Sequence, residues 1–171
     1  KKHMNEIVIQ EEENVSNQIK FANNKIVKTG TEQLRNIDIF AVKDKKIVNT
    51  SFRELVLPDD TISSADMNLS KKKADEVIKK VIKFASLIQP KDDYYGIADG
   101  KFKYKKIKNC YDKKINNMDH VDYVEKAVNS ALNEKAKRTA GILESHYSKR
   151  RVLTSNNIDV SEKSTNFYFS I

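Results

Sequence analysis

The sequence predicts an α/β or α+β fold, a mixed sheet of hairpin-connected strands covered by two amphipathic helices. Three observations carry this. The first third of the chain alternates apolar and polar residues between polar turns. Two middle stretches repeat apolar residues at the three-and-four spacing of a helix stripe. The end returns to alternation and finishes on Asn166-Phe-Tyr-Phe-Ser-Ile171.

In chain order, residues 5–12 read as a first strand with a β-branched centre. Residues 17–29 read as a hairpin, with Ile19, Phe21 and Ile26 on one face and Asn23-Asn24 at the reversal. Asparagine tolerates the left-handed backbone such a turn requires. Gly30 punctuates, and Leu34, Ile37, Ile39, Ala41 and Val42 suggest a longer strand. It ends at the turn Lys43-Asp44-Lys45-Lys46 and returns along Ile47–Phe52, after which Pro58-Asp59-Asp60 opens a connection.

A helix is expected from Ser70 as N-cap, with the stripe Ala74, Val77, Ile78, Val81, Ile82, Ala85, Ile88 and lysines opposite, ending at Pro90. Residues 90–117 read as an irregular excursion. A second helix starts at Asp119, its N-cap, with the stripe Val121, Val124, Val128, Ala131, Leu132. Lys135, Lys137 and Arg138 suit its C-terminal end. Strands are expected at 139–147, 150–155 and 158–171, with Asn156-Asn157 as a turn.

The length of 171 residues suits a single domain spanning residues 1–171. Cys110 is the only cysteine, so no internal disulfide forms, which with the absence of a secretory apolar segment fits a cytoplasmic location. No apolar run approaches the roughly 20 residues of a membrane span. The start at Lys1 and the stop within a strand pattern suggest a piece of a longer chain.

The net charge is +8, from 32 basic and 24 acidic residues, which permits binding to nucleic acid or acidic partners. The excess is lysine spread along the chain, the pattern of a solvated surface. Arginine, the residue of phosphate and base forks, occurs at Arg35, Arg53, Arg138, Arg150 and Arg151. Tyr94, Tyr95, Phe102, Tyr104 and Tyr111 among lysines match the composition of single-strand binders. Rings that pack the excursion onto the core explain them more simply. Phe167-Tyr168-Phe169 is apolar on both faces and expects cover on both.

No catalytic constellation is visible. His120 lies near Cys110, Asp112 and Asp119, but the spacing matches no zinc pattern, His146 pairs in pattern with Glu144, and His3 is terminal. Cys110 sits in a lysine-rich loop whose positive charge favours a thiolate, and it would serve as a nucleophile with a histidine close in space, but a lone cysteine is more often incidental. The glycines at 30, 96, 100 and 141 form no phosphate cradle. Asp59-Asp60 and Asp92-Asp93 suit turns.

The order of several short segments resembles the N-terminal domain of the TldD/PmbA family, also called modulator of DNA gyrase. They are Glu6–Gln10, Phe21-Ala-Asn-Asn-Lys-Ile26, Asn36–Val48 with Thr50-Ser51, Leu87-Ile-Gln-Pro90, Tyr111-Asp112 and Leu153–Ile158. Asn36, Val48 and Asn156-Asn157 stand where the family commonly has glycine. The resemblance implies a cytoplasmic zinc metallopeptidase acting on small unfolded peptides as a homodimer or heterodimer of related subunits. The family's His-Glu-x-x-x-His helix and later cysteine lie downstream of the matched region. The resemblance therefore assigns no catalytic, cofactor-binding or metal residue to this chain, and zinc is expected only in a parent protein. Two other readings are a stand-alone basic binding module, for nucleic acid or an acidic partner, and a non-catalytic partner subunit. No membrane partner is expected.

Overall fold

The computed structural model describes residues 4–55, 64–100, 103–105 and 107–171. His3, Pro58-Asp59-Asp60 and Phe102 lie outside the described residues, as do the side chains of Ser70 and Ala74. Among the described residues, five strands and three helices follow in the order β1 (Glu6–Ala22), β2 (Lys25–Lys43), β3 (Lys46–Leu55), α1 (Ser64–Leu87), α2 (Lys113–Asn116), α3 (His120–Asn133), β4 (Ala140–Thr154) and β5 (Asp159–Ser170). The class is α+β.

The sheet runs β3-β2-β1-β4-β5, placing the first strand at its centre. It is antiparallel where the sequence suggested a mixed sheet. Hairpins generate β1-β2-β3 and β4-β5, because short turns can only reverse a strand. The long connection then returns β4 against β1 in the opposite sense. Ile7 N–H meets Ser155 near one end, and Gln18 meets Glu144 toward the other.

The turns form where the polar pairs predicted them. Asn23 and Asn24 have φ of 51° and 66°, Asp44 and Lys45 of 52° and 62°, and Asn157 of 65°. Positive φ at both central residues gives the twist that matches flanking strands. In the second turn Lys43 pairs with Lys46, and the Asp44 N–H donates to Asn5 Oδ1 at 2.7 Å.

Three expected breaks are absent. β1 runs without interruption through residues 13–16, β2 runs through Gly30, and β4 runs through residues 148–149. The polar stretch of β1 finds cross-strand partners: Arg35 bonds Glu11, Gln33 Nε2 donates to Glu13 at 3.0 Å, and Arg150 donates to Glu12 at 3.3 Å. Such pairs stabilise a polar strand that alternation alone does not reveal. Helix α1 starts at Ser64, so Ser70 lies inside it rather than capping it. Helix α3 stops at Asn133, and Lys135 has a φ of 69°, so Lys135, Lys137 and Arg138 lie beyond the helix instead of in its last turn.

The chain forms two compact units. The first comprises Lys1–Glu12, Leu34–Lys105 and Arg150–Glu162, and the second Glu13–Gln33, Lys106–Lys149 and Lys163–Ile171. In the first, α1 lies against β3, and Val81 and Ala85 pack on Ile39, Ala41 and Val48, flanked by Ile7, Ile9, Ile37 and Phe52. In the second, Val124 and Val128 of α3 pack on Ile19, Phe21 and Leu143, and Phe169 stacks on Phe21 with centroids 6.0 Å apart. Other members of the predicted stripes, including Ile78, Ile88, Val121 and Leu132, are exposed. Each helix thus buries a narrower face than its apolar pattern allows. No helix among the described residues is long and apolar enough to cross a membrane.

Candidate functional site

In the first unit, strand alternation sorts residues onto two faces. The register pairs Ile37 with Phe52, Ile39 with Thr50 and Ala41 with Val48, the face that α1 covers. The same register pairs Asp38 with Ser51 and Phe40 with Asn49 on the opposite face. With Val8 and Gln10 of β1 they line an open concavity of about 410 Å³. Side-chain amides, a hydroxyl and a carboxylate surround an aromatic ring there.

Tyr94 packs beside this face, its ring 6.3 Å from that of Phe40 and its hydroxyl donating to Glu6 Oε2. Burial first, and then the bond to the Glu6 carboxylate, push the phenol well above its ordinary range, so Tyr94 remains a neutral donor. Lys91 N–H donates to the Lys45 carbonyl at 2.9 Å, and Asn156 Nδ2 donates to the carbonyls of Ala98 at 3.1 Å and Ile97 at 3.4 Å. These contacts anchor the excursion to the sheet.

The rings within the excursion divide. Tyr94 packs as expected, and Tyr111 meets Tyr147 edge-on at 6.0 Å with Lys163 Nζ 5.9 Å from its centroid. Tyr95 is 97% exposed and Tyr104 57% exposed, so these two do not pack onto a core. In β5, Phe169 is covered by the α3 cluster, whereas Phe167 and Tyr168 remain exposed.

In the second unit, His120 opens α3 with its Nε2 2.6 Å from Ser145 Oγ of β4. Ser145 is 2% exposed, too enclosed for a nucleophile to reach a substrate. Asn17 Nδ2 donates to Ser145 Oγ at 3.4 Å, and Thr31 Oγ1 donates to Asn17 Oδ1 at 2.8 Å. This network crosses three strands and was not legible in the sequence, because Asn17, Thr31, His120 and Ser145 share no motif.

The remaining candidates separate. Cys110 Sγ donates to the Ile107 carbonyl at 3.5 Å, and Asp112 Oδ1 accepts from Lys114 N–H. Asp119 caps α3, accepting from the N–H groups of Val121 and Asp122. His146 is exposed, while Glu144 accepts from Gln18 at 2.6 Å. Among the described residues no group of three or more His, Cys, Asp or Glu side chains could hold a metal ion. These residues do not fit the zinc that the family resemblance implies for a parent protein. Four of the five arginines are engaged internally: Arg35 with Glu11, Arg53 with Asn36, Arg150 with Glu12 and Glu162, and Arg151 with Asp159.

No protein-family model matches the chain, and no curated protein matches it in sequence. Solved structures do. The chain is similar to TldE from Thermococcus kodakarensis at a TM-score of 0.70 and 21% identity, over 98% of this chain and 36% of that one. A candidate modulator of a DNA gyrase from Thermotoga maritima matches at 0.66 and 18% identity, over 96% of this chain and 34% of its own. A candidate modulator of DNA gyrase from Bacteroides thetaiotaomicron matches at 0.72 and 14% identity, over 97% and 36%. The resemblance to this family therefore extends to the fold across nearly all of the chain, which spans about a third of the length of each relative.

Proposed function

We propose that this chain is the N-terminal scaffold and dimerisation domain of a TldD/PmbA-like zinc-dependent peptidase, a cytoplasmic enzyme that acts on small unfolded peptides. The observation that carries the proposal is the fold shared over 96–98% of this chain with about a third of each larger relative. The ordered sequence segments point the same way. The catalytic residues and their zinc lie downstream of this chain, and its own residues supply shape and surfaces.

The scaffold's contribution is a wall of the chamber that admits extended peptide. β3 and β5 are the sheet's edges, and an exposed edge can pair with a peptide backbone. Exposed Phe167 and Tyr168 on β5 offer apolar contacts beside that edge. A stand-alone nucleic-acid module is less well supported, because Arg35, Arg53, Arg150 and Arg151 already have partners within the chain.

The test uses the whole gene product, with a related subunit coexpressed. Cleavage of an unstructured peptide that a zinc chelator abolishes, together with no cleavage by the isolated chain, supports the proposal. Failure of the zinc-loaded assembly to cleave any unstructured peptide would overturn it. Retardation of RNA by the isolated chain at near-physiological salt would favour the binding module. Proline substitutions on β5 that leave cleavage unaltered would remove the edge-pairing role alone.

A further inference from the structure

We infer that His120 is an acid-sensitive latch that fastens the start of α3 to the sheet. The hydrogen bonds of its network run in one direction. Thr31 Oγ1 donates to Asn17 Oδ1, Asn17 Nδ2 donates to Ser145 Oγ, and Ser145 Oγ lies 2.6 Å from His120 Nε2. Because Ser145 Oγ already accepts from Asn17, its hydroxyl proton points to Nε2, which in the neutral ring accepts it and leaves the ring proton on Nδ1.

Protonation would put a second N–H on the side where Ser145 already donates. Ser145 would then have to turn its own proton away, inside a site where it is 2% exposed and already accepts from Asn17. A buried donor without a partner costs stability. Position adds to this. His120 is the first residue of α3, the end of a helix where positive charge is disfavoured.

The surroundings oppose the charged form on balance. Burial lowers the imidazole's proton affinity most, while the Met118 carbonyl and then the Asp119 carboxylate raise it by less. Asp119 is the charged group acting on it from its own helix. From β4 and β1 the facing groups are the uncharged Ser145 and Asn17, and Glu144 is engaged with Gln18.

The sign follows. The folded state holds the proton less well than the unfolded chain, so the latch's stability is complete above about pH 6.5 and declines as pH falls through the folded value. Release would loosen Val124 and Val128 from Ile19, Phe21 and Leu143, the packing that α3 completes.

Amide hydrogen exchange of the 171-residue chain at about pH 7.5 and about pH 5, corrected for intrinsic rates, tests the latch. Protection in α3 should fall on acidification in the parent chain and fall less in His120→Gln, whose carboxamide accepts from Ser145 without titrating. An equal fall in both would overturn the latch. NMR titration of the His120 imidazole in the unmodified chain needs no variant to fold. A midpoint below the ordinary histidine value is expected, and one at or above it would overturn the proposal. Ser145→Ala should move that midpoint upward.

Discussion

Asn24 Oδ1 accepts two hydrogen bonds from Thr139, from the main-chain N–H at 2.7 Å and from Oγ1 at 3.1 Å. Its Nδ2 donates to the Lys137 carbonyl at 3.3 Å. One side chain thus ties the β1–β2 turn to the start of β4, while its backbone sits at a φ of 66°. Asn24→Ala should destabilise the chain by about 1–3 kcal/mol, since Thr139 is buried and loses its acceptor. Asn24→Asp retains that acceptor and should lose less. Urea midpoints at constant slope would separate the two variants.

Asp119 has two separable roles. Its carboxylate caps α3, and its charge raises the proton affinity of His120. Asp119→Ala should cost about 1 kcal/mol through the lost cap. Asp119→Asn keeps a capping oxygen but removes the charge. It should leave stability near the parent value at neutral pH while lowering the His120 midpoint further in an NMR titration.

Glycines of the same sheet should respond in opposite ways. A Cβ at Gly141 would collide with the Ser170 carbonyl and the Phe21 ring, so Gly141→Ala should cost about 1–3 kcal/mol or more as strands shift. Nothing lies within 4 Å of a Cβ built at Gly30. Gly30→Ala should raise stability by roughly 0.5–1 kcal/mol by reducing the freedom of the unfolded chain. Thermal or urea denaturation reads both.

Tyr94 predicts an alkaline limb. Its phenol holds its proton more tightly in the folded state, chiefly because it is buried and then because it donates to Glu6. The stability this confers is complete below the unfolded value near ~10 and is lost as pH rises above it. Tyr94→Phe should be less stable than the parent at neutral pH, and the difference should shrink above about pH 10. A gap that stays constant with pH would show that Tyr94 acts by packing alone.

How much was legible depended on whether a signal was local. The turns at Asn23-Asn24, Asp44-Lys45 and Asn157 were readable because their backbone requires φ > 0, which asparagine and aspartate tolerate. The Asp119 cap was readable because a side chain three atoms long reaches N–H groups two and three residues on. The continuity of β1 was not. Residues 13–16 look like a break after the strand at 5–12, until Gln33 stands opposite Glu13 just beyond the pairs Arg35–Glu11 and Arg150–Glu12. The His120 network failed to show for the same reason, its members being drawn from three strands and a helix.

The sequence by itself determined where the chain turns and which stripes could be buried. Hydrophobic periodicity and turn chemistry act over a few residues, so they can be read along the chain. Tertiary structure decided that β1 is central, that the sheet is antiparallel, and that, among the described side chains, Val81 and Ala85 of α1 and Val124 and Val128 of α3 are the buried members of their stripes. It also decided that Ser145 should meet His120, 25 residues away. Those outcomes rest on cross-strand partners and desolvation, which exist only once distant segments share a sheet.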